Sequence, residues 1–580
     1  MSARAAAERS LAALESSDRP EVWISLFDAD ELLRTAGRID EAAKAGDDLP
    51  LAGVTFAVKD NIDVAGLATT AGCPAYGYRP ASDAPAVRAL VEAGALCVGK
   101  TNLDQFATGL VGTRSPYGAV RCAVDPLRIA GGSSSGSAVA VALGQVDVAL
   151  GTDTAGSGRV PAALNGIVGV KGTVGTVSTA GVVPACRSFD CVTVFAREVT
   201  LAEAALAQLT GPLGAAPDRR SFPSDMALAP PARPVVAVPG EDALSGLPPG
   251  WLDAFGSACA ELESSGCALV PIDLEPFLLA GQLLYGGAFV AERYAAVGDF
   301  VDAHRNEVDP TVGAIISAAG GISATAMVAD QSALAGLAAV ARAEWRRAGA
   351  DALLLPTTTG HPTLEEVAAD PVGVNVKLGR FTTFLNMLDM CAVAVPAGKV
   401  GGLPFGVSCI GPAFSDLVQL DLARRLEGGP PGGPAGTWQS ARRGRLAPPA
   451  VPVAVVGAHL SGQPLNSQLT GRGARLLGVA RTAPCYRLHA LATEPPKPGL
   501  RRVEHDGSHI ELEIWELAPS RFADFVASVP PPMAIGTVVL EDGSGVPGFL
   551  CEPVALQDAP DISAFGGWRR YLDSAGTRSK

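Results

Sequence analysis

The stretch GGSSSGSAVAVALGQVDVALGTDTAGSGR, residues 131–159, holds two loops of small residues, Gly131–Ser137 and Thr152–Gly158, joined by an apolar segment. Ser133 lies in the first loop and Ser157 lies 24 residues further on, in the second. A flexible linker or a helix cap is also rich in glycine and serine, but the joining segment has the composition of a protein core. Loops that a core holds in place are typical of a functional site.

The second loop can supply backbone hydrogen-bond donors to such a site. Consecutive small residues let neighbouring N–H groups converge on one point, which is how an oxyanion hole is built. The predicted donors are the backbone N–H groups of Thr154, Ala155 and Gly156.

A nucleophilic serine needs a base, because its hydroxyl reacts poorly until the proton is removed. The first of the six histidines is His304, far along the chain from both serines. A lysine can act instead if burial lowers its pKa. Lys59 ends the apolar run VTFAV (54–58) and precedes a polar loop. A lysine at a strand end can also be an ordinary surface residue, but the lack of a competing histidine favours Lys59 as the base.

The chain alternates between short apolar runs and segments with helical spacing. The runs VTFAVKD (54–60) and ALCVGK (95–100) predict buried strands, and residues 84–94 between them predict a helix that stops at a glycine. The alternation continues to ALLLPTTT (352–359), and residues 1–50 read as helical. This pattern predicts an α/β domain.

A change of composition predicts a second domain. Residues 427–450 are rich in proline, glycine and arginine, as linkers are. After them come strand-like runs such as HIELEIWEL (509–517) and IGTVVLED (535–542). We therefore expect an α/β domain over 1–426 and a small β-rich α+β domain over 451–580.

One motif points to a different chemistry. GALCVGKT, residues 94–101, matches the phosphate-loop pattern GxxxxGK[ST]. In a true phosphate loop the glycine-rich turn follows a strand and opens a helix, whereas here the central residues look like the strand itself. The pattern therefore does not predict nucleotide binding.

The overall composition excludes several classes of partner and site. A net charge of −14 argues against nucleic acid and against anionic membranes. The eleven cysteines are dispersed, with no CxxC pair that would indicate zinc or a disulfide framework. The N-terminus lacks the apolar core of a signal peptide, and no long uncharged apolar stretch predicts a membrane span. We expect a cytoplasmic protein.

Four motifs together resemble the amidase signature family over residues 50–425. They are FAVKDNIDVAG around Lys59, GKTNLDQFA (99–107), GGSSSGS around Ser133 and GTDTAGSGR around Ser157. The resemblance implies a large mixed twisted sheet flanked by helices and a Ser–cis-Ser–Lys triad. In that triad Ser157 is the nucleophile, Ser133 is the bridging serine after a cis peptide bond, and Lys59 is the terminal base.

A tyrosine and an arginine give information about the class of substrate. Tyr285 and Arg293 lie eight residues apart in LLYGGAFVAERYAAV (283–297), a spacing that puts both on nearly one face of a single helix. Arginine and a tyrosine hydroxyl can grip a carboxylate, although a solvated arginine and a core tyrosine give the same spacing. With PACRSFDCVTVFA (184–196), this pair resembles allophanate hydrolases in particular, which implies that it binds the carboxylate of allophanate, a carboxylated urea.

The second domain carries a resemblance of its own. AVVGAHLSGQPLNSQL (454–469) resembles the glycine-containing strand and turn of γ-glutamylcyclotransferase-like folds, which allophanate hydrolases carry. This implies decarboxylation of the first product, N-carboxycarbamate, with His459 as the candidate residue. A structural histidine bonded to the backbone is the competing interpretation. Glu511, Glu513 and Glu516 in the strand-like run 509–517 could be merely its solvent face, and they receive no role.

These observations predict an allophanate hydrolase of urea or s-triazine breakdown that releases ammonia and carbon dioxide. Neither a metal nor an organic cofactor is implied. The resemblance also implies a homodimer and a complex with other enzymes of the same pathway. Two alternatives stay open, a general small-amide amidase whose second domain has an unrelated purpose, and a non-catalytic binding or assembly subunit.

Overall fold

The computed structural model describes residues 2–429, 449–574 and 576. The chain divides into two compact units, Met1–Ser221 with Pro234–Gly429 and Phe222–Arg233 with Pro430–Lys580. Most of the predicted linker, residues 430–448, lies outside the described residues.

In the described part of the first unit, eleven strands form one mixed sheet. The strands are β1 (Trp23–Leu26), β2 (Thr55–Lys59), β3 (Leu96–Thr101), β4 (Val148–Asp153), β5 (Val168–Lys171), β6 (Cys191–Ala196), β7 (Val235–Pro239), β8 (Ala268–Ile272), β9 (Ala352–Pro356), β10 (Met390–Val400) and β11 (Leu403–Pro412). Their order across the sheet is β1-β3-β2-β4-β6-β5-β10-β11-β9-β7-β8. The predicted large mixed sheet flanked by helices is confirmed.

The helices of this unit follow the predicted alternation. They are α1 (Ala3–Glu15), α2 (Ala29–Ala45), α3 (Pro85–Glu92), α4 (Ser135–Ala142), α5 (Val160–Asn165), α6 (Val199–Thr210), α7 (Trp251–Ser264), α8 (Glu275–Gly286), α9 (Ala291–Ala303), α10 (Pro310–Ala319), α11 (Ala324–Ala348), α12 (Leu364–Ala369), α13 (Gly373–Leu378), α14 (Phe384–Met387) and α15 (Asp416–Leu426). Residues 1–50 are not wholly helical, because β1 lies between α1 and α2 and pairs with β3. Four residues are too few for an alternating pattern to reveal such a strand.

Three neighbouring strands bring candidate site residues from distant parts of the sequence to one edge of the sheet. Strand β2 pairs in parallel with both β3 and β4, so the carboxyl ends of all three point the same way. Every residue of these strands is buried, which explains their continuous apolar runs. Lys59 and Asp153 end β2 and β4, and the phosphate-loop pattern proves to be largely strand β3.

Within the described residues, one helix has the length and apolar composition of a membrane span. It is α11, of which only 6% of the most apolar window is buried. Two of its acidic side chains bond to the rest of the unit: Glu344 accepts a hydrogen bond from the backbone N–H of Asp273 at 2.8 Å, and Asp330 accepts one from that of Ala288 at 2.5 Å. A single helix of this kind is weak evidence for a membrane span.

The second unit is small and rich in strands, as predicted. Its strands are β12 (Val451–Val455), β13 (Arg475–Arg481), β14 (Tyr486–Leu491), β15 (Lys497–Arg502), β16 (Glu511–Leu517), β17 (Met533–Val539) and β18 (Gly545–Cys551). Five of them form a sheet in the order β13-β16-β12-β18-β17, and β14 pairs with β15. Its helices are α16 (Ser467–Thr470), α17 (Pro519–Ala527) and α18 (Trp568–Ser574).

A segment from the middle of the chain belongs to this second unit. Residues Phe222–Arg233 group with it rather than with the unit that precedes and follows them in sequence. The backbone N–H of Leu228 donates to the carbonyl of Gly473 at 2.8 Å, and that of Ser520 donates to the carbonyl of Ser224 at 2.8 Å. A linear division of the sequence at residue 426 does not anticipate this segment.

Candidate active site

Lys59 lies at the end of β2 with no exposed surface. Its Nζ bonds to two hydroxyls, Ser133 Oγ at 2.8 Å and Thr152 Oγ1 at 2.7 Å. Burial away from water lowers the pKa of Lys59 from 10.5 to about 7, because the ammonium form loses its hydration. Nearby carboxylates act in the opposite direction and raise it; they belong to Asp104, Asp190 and Asp153. A neutral amine is therefore accessible at physiological pH.

The loop that carries Ser133 is held by the segment after β3. The Gly132–Ser133 peptide bond is cis, and the Ser133 carbonyl accepts the backbone N–H of Asp104 at 3.2 Å. The Asp104 carboxylate in turn accepts the backbone N–H groups of Gly112 and Arg114, each at 3.0 Å. These bonds fix the position of Ser133 beside Lys59.

The loop that carries Ser157 is built around a buried ion pair. Asp153 and Arg159 are both fully buried, with Asp153 Oδ1 2.7 Å from Arg159 Nη2. Burial tends to raise the pKa of Asp153, but its contacts with Arg159 prevail and hold the pKa below its usual value. Ser157 lies between Asp153 and Arg159 in the sequence, and it is 4% exposed. Its hydroxyl forms no hydrogen bond with any other residue that the structure describes, so it is available to a ligand.

The structure corrects one of the three predicted oxyanion donors. The backbone N–H of Gly156 donates to Asp153 Oδ1 at 2.9 Å and is not free to bind an oxyanion. Over the described ranges, no residue accepts the backbone N–H groups of Thr154, Ala155 or Ser157. The Gly156 N–H is therefore not available as predicted, whereas the N–H of Ser157, which the prediction did not include, has no acceptor among the described residues; a sequence does not show which N–H groups the carboxylate of Asp153 will bind.

Glycine at position 156 is required for two reasons. Its φ is 137°, a conformation that residues with a side chain rarely adopt. A Cβ there would lie 2.3 Å from Thr382 Oγ1, which itself donates to the carbonyl of Ala155 at 2.7 Å. The loop backbone is therefore packed closely on its neighbours.

Tyr285 and Arg293 lie on two helices, which corrects the prediction of a single helix. Helix α8 ends at Gly286 and α9 begins at Ala291. A Cβ on Gly287, between them, would lie 2.5 Å from Asp330 Oδ2. Gly287 has an extended backbone and ends the first helix, and the pair Gly286–Gly287, with its low helix propensity, is a signal that the eight-residue spacing alone does not include.

The two side chains nevertheless meet. Arg293 Nη2 donates to Tyr285 Oη at 3.2 Å, and the guanidinium carbon lies 5.3 Å from the centre of the Tyr285 ring. Arg293 is 2% exposed, so it is not a solvated arginine. Among the described residues, no carboxylate forms an ion pair with it.

The Tyr285–Arg293 pair is close to the serine loops. Tyr285 packs against an apolar cluster that includes Ala155, two residues before Ser157. The positive charge of Arg293 is near enough to Lys59 to contribute to the lowering of its pKa. The arginine and the loop of Ser157 therefore belong to one region of the first unit.

Several polar residues of this site were not singled out from the sequence. Asp104 and Thr108 belong to or directly follow the quoted motif GKTNLDQFA, and Thr108 Oγ1 accepts a hydrogen bond from Arg293. Asp190 lies in PACRSFDCVTVFA and accepts the backbone N–H of Ala185 at 2.9 Å. Their place in the motifs was the available signal, but their contacts depend on the folded structure.

His459 lines a cavity of about 160 Å³ in the second unit. Its ring stacks on Phe549, with 4.8 Å between ring centres, and Nε2 lies 2.9 Å from Gln468 Oε1. Burial lowers the pKa of His459. Lys497 also lines the cavity. The observed partner of His459 is thus a side chain and not the backbone acceptor of the competing interpretation.

Glu513, which received no role from the sequence, anchors the turn after His459. Its carboxylate accepts the backbone N–H and the hydroxyl of Ser461 at 2.8 and 3.0 Å. It also accepts Trp515 Nε1 at 3.0 Å and Arg569 Nη2 at 2.7 Å. With four hydrogen bonds to its carboxylate, Glu513 holds the turn in place.

Comparisons with known proteins agree with this architecture. Residues 5–419 match the family described as Amidase, and residues 451–573 match the allophanate hydrolase C-terminal domain. A solved structure of Kluyveromyces lactis allophanate hydrolase is 40% identical, covers 98% of this chain and 97% of its own, and superposes with a TM-score of 0.83.

Two curated relatives are longer proteins. The urea amidolyase of Lachancea kluyveri is 42% identical over 96% of this chain and 32% of its own length. That of Saccharomyces cerevisiae is 41% identical over 95% of this chain and 31% of its own length. The chain therefore spans about a third of the length of these relatives. The chain belongs to the amidase family, and it carries an allophanate hydrolase C-terminal domain after its amidase region.

Proposed function

We propose that this chain is an allophanate hydrolase with two cooperating domains, residues 1–426 and 451–580, joined by a linker at 427–450. The first domain hydrolyses the terminal amide of allophanate to ammonia and N-carboxycarbamate. The second decarboxylates that product, so that ammonia and carbon dioxide are the final products. The similar proteins support this proposal by name, being urea amidolyases and an allophanate hydrolase.

One observation carries the choice of substrate. Arg293 is 2% exposed and forms no ion pair with a carboxylate of the described residues; its charge does act on the buried Asp190, whose pKa is raised by burial. An unpaired charge in a protein interior is costly unless a ligand of opposite charge compensates for it. The guanidinium therefore favours a small amide that also carries a carboxylate, as allophanate does.

The first half-reaction begins with proton removal from the nucleophile. Neutral Lys59 accepts a proton through Ser133, and Ser157 Oγ attacks the terminal carbonyl carbon of the substrate. The negative charge that develops on the carbonyl oxygen is bound by the free backbone N–H groups of Thr154, Ala155 and Ser157.

The second half-reaction returns the protons. The same relay donates a proton to the leaving nitrogen, the C–N bond breaks, and ammonia departs. Water, deprotonated through the relay, then attacks the acyl-enzyme and releases N-carboxycarbamate with Ser157 regenerated. Arg293 holds the distal carboxylate throughout, so the amide end alone lies at the serine.

We assign the decarboxylation to the cavity that His459 lines. In that step one C–N bond breaks, its electron pair stays on nitrogen, a proton is taken up and carbon dioxide leaves. His459 is the candidate carrier of this proton, because its ring lies at the cavity wall. The carbamate that remains then decomposes to ammonia and carbon dioxide.

The resemblance to allophanate hydrolases also supports a homodimer and a complex with other enzymes of the same pathway, and the dispersed cysteines and the N-terminal sequence support a cytoplasmic location. Size-exclusion chromatography with light scattering tests the dimer directly. A mass of one chain at micromolar concentration would contradict it.

Ammonia release from a graded set of amides tests the proposed activity. The set is allophanate, malonamate, biuret and a simple amide; biuret is allophanate with its carboxylate replaced by a neutral amide. We expect kcat/KM to be highest for allophanate, and Ser157→Ala to abolish turnover. Equal values across the set would instead indicate a general amidase.

A further inference from the structure

We propose that Thr108 is a positioning residue that aligns the Arg293 guanidinium for the substrate carboxylate. The inference rests on the proposed role of Arg293 in allophanate binding and extends it to a residue outside the catalytic groups. Thr108 acts through Arg293 and does not itself touch the substrate.

The hydroxyl of Thr108 has a fixed orientation. It donates its own proton to the carbonyl of Phe106 at 3.2 Å, which leaves a lone pair to accept a hydrogen bond from Arg293 Nη1 at 2.9 Å. Nη1 also lies 3.5 Å from the carbonyl of Ala107, while Nη2 bonds to Tyr285 Oη. These partners on Nη1 and Nη2 set the plane of the guanidinium, and a planar fork binds a carboxylate only in a narrow range of orientations.

The segment that presents Thr108 is itself fixed against the helix of Arg293. Phe106 and Ala107 have φ values of 50° and 53°, which turn the chain sharply just before Thr108. The Phe106 ring packs edge-on against Phe300 of helix α9, with 6.0 Å between ring centres. This packing therefore fixes the position of the Thr108 hydroxyl relative to Arg293 on helix α9.

The same segment reaches the serine relay. The backbone N–H of Asp104, four residues before Thr108, holds the carbonyl of Ser133. One short stretch, residues 104–108, thus contacts both the relay and the carboxylate-binding arginine. It sets the distance between the two ends of the substrate site.

Substitution at Thr108 tests the proposal through a split between two substrates. Thr108→Val keeps the shape and removes the hydroxyl, whereas Thr108→Ser keeps the hydroxyl. We expect Thr108→Val to raise KM for allophanate roughly tenfold, the usual cost of one hydrogen bond to a charged group, with a smaller change in kcat. Kinetics with biuret should be unchanged, and Thr108→Ser should restore the wild-type KM. Thr108→Ala provides a second variant without the hydroxyl if Thr108→Val folds poorly.

Two controls separate positioning from a general structural effect. Thr210→Val removes another buried threonine hydroxyl, which donates to the carbonyl of Leu206 in helix α6, and should leave both substrates unaffected. In an Arg293→Ala background, Thr108→Val should add no further loss, because the group it aligns is gone. Equal losses on allophanate and biuret, or a full additional loss in that background, would overturn the role of Thr108. A wild-type enzyme without preference for allophanate over biuret would overturn the proposed function as well.

Discussion

At the scale of single residues, the proposed activity depends on the protonation state of Lys59, the proposed base. Burial brings its pKa down to about 7, so the amine is largely protonated below neutrality and largely neutral above it. A base must be neutral to accept a proton. We therefore expect kcat/KM for allophanate to rise about tenfold per pH unit below pH 7 and to level off above it.

The control for this pH dependence is Lys59→Arg, which stays charged at every accessible pH and should be inactive throughout. A pH–rate profile from 5.5 to 9 with a stopped assay for ammonia is sufficient. A profile without an acidic limb would show that Lys59 does not titrate in this range and would remove it as the base.

The sequence was informative about these residues for a physical reason. Ser133 and Ser157 lie in loops of small residues between apolar core segments, and Lys59 directly follows an apolar run. The acceptor that occupies the Gly156 N–H is the side chain of Asp153, three residues away, and its direction depends on the ion pair with Arg159. Residue types could therefore be predicted, whereas the pairing of individual donors and acceptors could not.

At the scale of elements, the loop after β4 depends on Gly156. A side chain there combines an unfavourable φ with a clash against Thr382. Gly156→Ala should lower the free energy of unfolding by about 1–3 kcal/mol and reduce kcat strongly, because the adjacent N–H donors shift.

Gly349 is a matched control for this substitution. Its φ is 61°, and a Cβ there would meet nothing within 4 Å. Gly349→Ala should cost about 1 kcal/mol and leave kcat unchanged. Chemical denaturation measures the loss of stability in both variants, and steady-state kinetics measures kcat. Similar kcat values for the two variants would show that the conformation at Gly156 does not position the N–H donors.

The pair of helices around Gly287 shows why spacing can mislead. Two residues eight positions apart share a face only if the helix is continuous. Here the helix ends at Gly286 and Gly287, yet the side chains of Tyr285 and Arg293 still form a hydrogen bond. The prediction of one continuous helix was wrong, and the two side chains nevertheless lie together, since several backbone paths can bring the same two side chains to one place.

In the second unit, we expect Glu513 to matter for stability. Glu513→Ala leaves the donors of Ser461, Trp515 and Arg569 without their acceptor. The free energy of unfolding of this unit should fall by about 3 kcal/mol. Differential scanning calorimetry measures the loss, and Glu511→Ala, which removes a more exposed carboxylate, is the comparison. An unchanged transition would show that Glu513 does not hold the turn.

At the scale of the whole molecule, the segment Phe222–Arg233 lies between two parts of the first unit in sequence but belongs to the second unit in the structure. A chain cut at Gly429 keeps this segment but removes the backbone groups of Gly473 and Ser520 that bind it. We expect the truncated chain to release the first ammonia from allophanate while the segment becomes sensitive to protease.

Limited proteolysis with mass analysis of the fragments measures this change. Cleavage between residues 222 and 233 should be fast in the truncated chain and slow in the full chain. Equal cleavage in both would contradict the place of the segment in the second unit. A folded truncated chain without ammonia release would show that the first half-reaction needs the second unit.

The broad architecture could be predicted from the sequence because the signals are local. Apolar runs predicted strands such as β2, β3, β9 and β16, and a change of composition indicated two domains. The membership of residues 222–233 could not be predicted, because a segment without strong periodicity gives no sign of the surface on which it packs.

Arg293 is proposed to select a carboxylate for the serine site, and the ratio of kcat/KM for allophanate to that for biuret measures this selection. Wild-type enzyme should favour allophanate by roughly hundredfold or more, the effect of a buried charge-assisted contact. In Arg293→Ala the ratio should fall to near one, with biuret kinetics little changed. A ratio near one in the wild type, or an unchanged ratio in Arg293→Ala, would contradict the account.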